Sequence, residues 1–456
     1  MKKVFIWLLA SILCISMIVS FSLVGCKEEA AVEAVEEEVE EEAVEEEVEE
    51  EVSVYDMEGE IKCTMYPGAP MQDGRELMEW EIEAFEKLYP NIKVNLVPLS
   101  PEDPVTVMHL ELESSDSPDI GTYWTGTYLE TTKDTGYLAD INDIWQEINF
   151  DEVAPSAASL AQFDSTGNAK WILPIEIGGF GFWYNMHVWE DAGLTEEDIP
   201  RTWDDLLNVA QTILDSGAYP FVRSTGTVGY TVGIWLDMIM ERTAGRDIRR
   251  SFGPGEITFE DPAWAKADSY WMQLLPYWHP DVATLTYDEA LMSVVTGESA
   301  MMLLGSWAPG TFETQYEMVA GQDYSFFSFP IIDPDIPRGE IVTPSNGIIL
   351  STKGLVNPAA VELLKYFSSK DAQQMWADAR SMTVVHKDVT YTAKILETFS
   401  KEMGGWPVDR TFGFDATIYP DLSDIWELRL LDRITLEESI DQMMELYKPV
   451  YESLEE

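Results

Sequence analysis

Basic side chains are scarce. In 456 residues, 28 Lys and Arg stand against 83 Asp and Glu, a formal charge of −55. A phosphate backbone must be neutralised by Lys and Arg, so nucleic acid is excluded as a natural partner. Anionic lipid surfaces are disfavoured for the same reason. Histidine is rarer still: His109, His187, His279 and His386 form neither an HExxH pattern nor a close pair, so no metal site is expected from them. No GxSxG precedes a helix, no GxxxxGK[ST] loop is present, and no D-x-[DN]-x-[DN]-G loop offers itself to Ca²⁺. Among so many acids a pair of carboxylates can be drawn anywhere, so their number gives a glycosidase no weight. The chain is therefore not read as an enzyme, and neither cofactor nor metal is expected.

Cysteine is limited to Cys14, Cys26 and Cys63. Lys2 and Lys3 are followed by an apolar stretch from Val4 to Val24, the order of a secretory signal. Leu23-Val24-Gly25-Cys26 closes it, and this resembles the lipobox of bacterial lipoproteins. The resemblance implies a signal peptide over 1–25 and a lipid-bearing Cys26 at the new N-terminus. More than one acyl chain there would meet the requirement for stable anchoring. Cys14 would leave with the signal and Cys63 would remain as a lone thiol, so one mature chain could form no disulfide. Past Cys26 and up to residue 51, fifteen Glu against the single Lys27 make the chain too self-repulsive for a stable helix. Residues 26–55 read as an acidic tether. The remaining 405 residues carry 25 basic and 68 acidic groups, so the folded part is acidic in its own right.

The length and the 46% hydrophobic content predict two or three domains with sizeable cores. Strand-like alternation over Glu60–Tyr66 precedes a helical pattern over Arg75–Leu88. Strands follow at Asn91–Val97 and Pro118–Tyr123. Units of this kind imply a parallel sheet, with ligands held outside the carboxyl ends of its strands. Helices are expected at Thr202–Leu214, Ala263–Leu275, Pro358–Phe367, Asp371–Ala379 and Leu436–Tyr447. Thr202-Trp203-Asp204-Asp205 has the form of a capping box, and Asn357-Pro358 places Pro in a first turn. No second apolar run reaches membrane-spanning length.

Five stretches occur together in order. They are Phe85 to Val94, Ser117-Pro118-Asp119-Ile120, Leu173 to Leu206, Gly297 to Trp307, and Asn346 to Phe367. The third contains Trp183-Tyr184-Asn185, Ala192-Gly193-Leu194 and Pro200-Arg201-Thr202-Trp203-Asp204-Asp205-Leu206, and is the most specific. Together they resemble family 1 extracellular solute-binding proteins of ABC importers, the group that includes maltose-binding protein. The resemblance runs over about residues 60–447.

It implies an α/β fold of two periplasmic-binding-protein-like lobes, a hinge and an interlobe ligand cleft. Lobe 1 would hold 56–176 and 345–386, and lobe 2 would hold 177–344 and 387–456. Crossings are expected near 174–178, 342–346 and 384–390. Solute touching both lobes would favour their closure. The implied partners are a small solute, permease subunits of an ABC importer, and the membrane through the lipid anchor; the protein itself is expected to be a monomer outside the cytoplasm. Sugar is the expected solute, mono- or oligosaccharide, since C–H faces pack on rings and the chain has 16 Trp, 19 Tyr and 18 Phe among its acids. Peptide, polyamine or glycerol phosphate are alternatives, as is an exported carbohydrate-processing enzyme.

The resemblance singles out Trp307, in the Gly-x-Trp turn, as a ring that stacks on sugar. Tyr123 and Trp124 follow the third strand, where relatives place an aromatic and an acid; here Thr125 and Thr127 stand in place of the acid. Tyr66 ends the first strand. Glu176 lies at the first crossing. Arg223, Asp237, Trp426 and Arg429 complete the expected ligand contacts.

Overall fold

The computed structural model describes residues 56–455, apart from 67–70, 100–103, 126–128, 130–131, 134, 159–168, 225–229, 337–339, 345, 382, 392–393, 397–398, 400–407, 410–413 and 415–417. The expected signal peptide, Cys26 and the tether, with Thr127, lie outside the described residues.

Two sheets organise the chain. The first has the order β2-β1-β3-β10-β4, from β1 (Gly59–Met65), β2 (Ile92–Pro98), β3 (Ile120–Trp124), β4 (Leu173–Pro174) and β10 (Asn346–Leu350). The second has the order β11-β9-β5-β7-β6, with β8 also on β5. Its strands are β5 (Ile177–Asn185), β6 (Tyr219–Val222), β7 (Ser299–Gly305), β8 (Tyr324–Ser328), β9 (Glu340–Pro344) and β11 (Val408–Asp409).

In the first lobe β1 pairs in parallel with both β2 and β3, as the strand–helix–strand spacing predicts. The helix Met71–Leu88 makes the crossover between β1 and β2. Ile61, Cys63 and Met65 point from alternate positions of β1 into a core shared with Phe85, Ile92, Ile120, Leu363 and Trp376. Burial, with help from nearby Glu81 and Asp119, pushes the Cys63 thiol far up, so it is an inert thiol. β10 runs antiparallel to β3 and β4.

The second lobe is built around β5. Phe180, Phe182 and Tyr184 enter one core and Trp183 enters another on the opposite face. β7 and β8 divide the same way: Met301, Leu303 and Phe327 to the first face, Met302, Leu304, Tyr324 and Phe326 to the second. Period-two geometry thus survives although nearly every position of these three strands is buried. The helix Trp203–Ser216 begins on the predicted reciprocal cap: the Asp205 N–H donates to the Thr202 hydroxyl, and the Thr202 N–H donates to the Asp205 carboxylate at 2.9 Å. It ends at Gly217, whose φ of 103° lies in the left-handed region. The helix expected over Ala263–Leu275 is α-helical only over Pro262–Trp271; the chain then tightens into a 3₁₀ turn around Pro276.

The chain passes from the first sheet to the second through Ile175 and Glu176, and returns between Pro344 and Asn346. A third strand-like contact lies at Thr383 and Val384: the Ile177 N–H donates to the Thr383 carbonyl at 3.3 Å, the Thr383 hydroxyl donates to the Ile177 carbonyl, and Glu176 bridges Val384. Glu313, on the helix Ala308–Tyr316 of the second lobe, accepts from Ser381 of the first at 2.6 Å and from Tyr324 at 2.7 Å. Among the described residues no helix is long and apolar enough to cross a membrane.

Candidate functional site

The carboxyl ends of β1 and β3 lie side by side, and β10 starts beside them. Tyr66 follows β1 and its N–H donates to the Thr122 hydroxyl at 2.6 Å. Trp124 ends β3 opposite Asn346. The two rings meet edge to face, 6.2 Å between centroids and 79° between planes. Both are half-buried.

From this pair the row continues into the crossing. Asn346 donates from Nδ2 to Glu176 Oε2 at 2.5 Å, and its carbonyl accepts from the Ile175 N–H at 3.2 Å. Glu176 is thereby held at the seam between the sheets, where one further residue brings the chain to β5. Ser306 then donates to the Ile177 carbonyl at 3.2 Å, tying the end of β7 to the start of β5. Phe180 is in register with Gly305, and its ring stands edge to face with Trp307 at 5.7 Å and 87°. Trp307 is half-buried, and its Nε1–H donates to the Tyr287 hydroxyl at 3.0 Å.

A run of contacts thus links the Tyr66–Trp124 ring pair of the first lobe, by way of the Asn346–Glu176 pair at the crossing and the Ser306–Ile177 hydrogen bond, to the Phe180–Trp307 ring pair of the second lobe. Rings offer apolar faces; the half-buried Asn346 and Glu176, the latter 4% exposed and held by that amide, are the planar polar groups among them. Such a mixture can hold a small molecule with both apolar and hydroxylated surfaces.

The other expected contacts are placed differently. Tyr123, next to Trp124, alternates to the opposite face. Its ring is in the core of the first lobe and its hydroxyl pairs with that of Thr132 at 2.7 Å. Arg223 follows β6 with its guanidinium gripped by Glu427 at 2.6 and 2.9 Å and set over Trp278; at 1% exposure it presents almost no surface. Asp237 is 2% exposed and paired with Arg249 at 2.8 Å, which also holds Glu241 at 2.7 Å. Its helix Tyr230–Ala244 is buried from Thr231 to Thr243, so Asp237 neutralises an internal Arg. Trp426 packs on Trp264, Phe414 and Tyr419, with its N–H on the sulfur of Met443. Arg429 makes a two-pronged pair with Asp268 at 2.8 and 2.9 Å. Trp426 and Arg429 do share a void, but it lies among second-lobe helices and has room for about one water, a volume of ≈ 20 Å³.

Asn346, Ser306, Phe180 and Tyr287 join the row without having been singled out. Asn346, Ser306 and Phe180 stand inside the motif stretches, and Ser306 is the neighbour of Trp307. Tyr287 is 20 residues from Trp307, and no local signal links them. Among the described residues no group of three or more His, Cys, Asp and Glu side chains could hold a metal.

The family model described as bacterial extracellular solute-binding protein matches residues 68–374. An uncharacterised ABC transporter extracellular-binding protein of Pyrococcus horikoshii is 27% identical over 338 residues, 72% of this chain and 73% of that protein. A xylose/arabinose-binding protein of Haloferax volcanii is 22% identical, over 70% of this chain and 68% of its own length. Among solved structures, a chitin oligosaccharide binding protein superposes with a TM-score of 0.75 at 18% identity, covering 86% of this chain and 98% of that one. A solute-binding protein in complex with raffinose superposes at 0.69 and 16% identity, over 86% and 99%. The fold is thus the two-lobed α/β fold of such binding proteins.

Proposed function

This chain belongs to the bacterial extracellular solute-binding protein family, and from that premise we propose that it captures a carbohydrate between its two lobes and delivers it, chemically unchanged, to the permease subunits of an ABC importer. The observation that carries the reading is the run of contacts through the seam, from the half-buried Tyr66 and Trp124 by way of the Glu176–Asn346 pair to the half-buried Trp307. Sugar C–H faces stack on such rings while a carboxylate and an amide accept and donate to hydroxyls. The names of the relatives, several of them sugar-binding, support the same ligand class. Tyr66, Trp124, Glu176 and Trp307 are the proposed contacts. Ligand touching both lobes would favour a closed form for the importer to recognise.

The protein would work as a monomer on the outer face of the membrane, held by lipid on Cys26. Metabolic labelling with a radioactive fatty acid should mark the parent chain and not Cys26→Ser.

The test is a thermal-shift and titration series with D-galactose, xylotriose, raffinose and N,N′-diacetylchitobiose. At a hundredfold excess over Kd a bound sugar should add about 2.7 kcal/mol of apparent stability. Tryptophan emission should change, and mass spectrometry should recover the sugar intact. Stabilisation by a peptide, a polyamine or glycerol phosphate with none by any sugar would overturn the ligand class, and a cleaved sugar would overturn the binding-protein reading.

A further inference from the structure

Trp307 is seated with more care than a surface indole requires. Its Nε1–H donates to the hydroxyl of Tyr287 at 3.0 Å. Tyr287 is the first residue of the helix Tyr287–Val295, whose start is fixed by a reciprocal cap. Glu289 takes the Thr286 N–H and hydroxyl at 2.8 Å each, and the Glu289 N–H donates back to that hydroxyl at 3.3 Å. A hydrogen-bonded first turn gives the Tyr287 side chain a defined origin.

The ring is also pressed onto backbone. A Cβ built on Gly305 would lie 2.1 Å from Cζ3, 2.3 Å from Cη2 and 2.5 Å from Cε3 of Trp307. These are three adjacent atoms of the six-membered ring. Such near-equal short distances arise only above the ring face, since an approach in the ring plane would leave the flanking atoms much farther than the nearest one. One indole face therefore rests on the Gly305 backbone, and any larger residue there would fill the space the ring occupies. Phe180, in register with Gly305 across β5 and β7, stands perpendicular to the same indole.

We propose that Tyr287 and Gly305 are positioning residues that lock the Trp307 indole in one orientation before solute arrives. The proposal rests on Trp307 as the second lobe's contact for solute. It deepens that reading by naming what makes the contact preorganised: a ring already fixed at its N–H edge and on one face loses less freedom on binding.

The first measurement needs no ligand. In ¹H–¹⁵N spectra of the full chain, the Trp307 indole N–H, assigned by its absence in Trp307→Phe, should move and exchange faster with water in Tyr287→Phe. The second uses whichever of the four sugars above binds. Tyr287→Phe should weaken affinity about threefold or more, the usual scale of one hydrogen bond. That loss should vanish when Trp307 is already Ala, so that the double variant matches Trp307→Ala within about twofold. Gly305→Ala should displace the same indole resonance, and a resonance it leaves in place would remove Gly305 from the positioning role. An indole resonance unmoved by Tyr287→Phe would overturn the positioning role, as would single losses that multiply in the double variant, or full affinity in Tyr287→Phe where Trp307→Ala has lost it. Should Trp307→Ala bind every sugar normally while the indole still shifts in Tyr287→Phe, the positioning stands and the solute-contact reading fails.

Discussion

The two lobes solve the same packing problem with different materials. The first fills its core chiefly with Ile, Leu, Met and Ala around a mixed sheet. The second packs Phe182, Phe221, Trp235, Trp278, Phe327 and Phe329 ring against ring around β5. It also buries charge: Arg249 between Asp237 and Glu241, and Arg223 against Glu427. The difference teaches caution about composition. Among the described residues ten of fourteen Trp are buried, eight of them in the second lobe, so the aromatic richness that pointed to sugar is mostly the filling of one lobe. Of the half-buried indoles, Trp124 and Trp307 stand at the seam, while Trp171 precedes β4 at its far end. Position, not number, supports a ligand-binding role.

This contrast can be broken by substitution. The largest expected effect is Trp235→Ala, which should cost about 3–5 kcal/mol of folding free energy in denaturant titration by emptying the centre of the ring cluster. Arg249→Met should cost roughly 3 kcal/mol or more, because Asp237 and Glu241 are left buried without their cation. Restoring stability with Asp237→Asn and Glu241→Gln in the same chain would sharpen the assignment of Asp237 to internal neutralisation. Trp307→Ala should do the opposite of Trp235→Ala. Affinity for sugar should fall at least tenfold, about 1.4 kcal/mol, while the unfolding midpoint stays near that of the parent. Equal affinity in the two proteins would remove Trp307 from the site.

The smallest effect concerns caps. Thr195, Thr202, Thr286 and Thr435 each begin a Thr-x-acid-acid stretch, and each shares reciprocal hydrogen bonds with the acid three residues on. Hydrogen bonds from Thr202, the hydroxyl first and then the backbone N–H, hold the Asp205 carboxyl below its usual range. Asp198 is held low by Thr195 in the same way, and Glu289 and Glu438 by the backbone N–H of Thr286 and Thr435 first and then by their hydroxyls. A folded value below the unfolded one stabilises the protein above the unfolded carboxyl range, near pH 4, and that share is lost as pH falls through the folded value. Thr202→Ala should therefore cost about 1 kcal/mol at pH 7, and urea titrations should show the gap to the parent narrowing toward pH 2. A gap that widens in acid would contradict the cap's carboxylate contribution.

Local patterns were legible where one face of an element meets water. The helix Pro358–Phe367 has the expected ends, β1 to β3 lie within two residues of theirs, and the cap at Thr202 is written in four letters. Fully buried elements carry no such pattern. The helix Tyr230–Ala244, from Thr231 to Thr243, and the strand β5 are buried on nearly every side, so neither shows the inside–outside periodicity that distinguishes helix from strand. For the site, the chain positions of Tyr66, Trp124 and Glu176 at strand ends and crossing were readable. Which neighbour turned inward was not: Tyr123 and Trp124 differ by one residue and therefore by one face of the sheet.

By itself the sequence determined the strand–helix alternation, the acidic balance and the family to which the motifs belong, because each of these depends on neighbours along the chain. Only the tertiary structure decided which polar and aromatic groups were already engaged. Arg223 finds Glu427 across 204 residues and Trp307 finds Tyr287 across 20; such pairings are set by how sheets and helices pack, and nothing in the linear order of side chains encodes whether a charge or a ring will meet its partner inside the fold or remain for a solute.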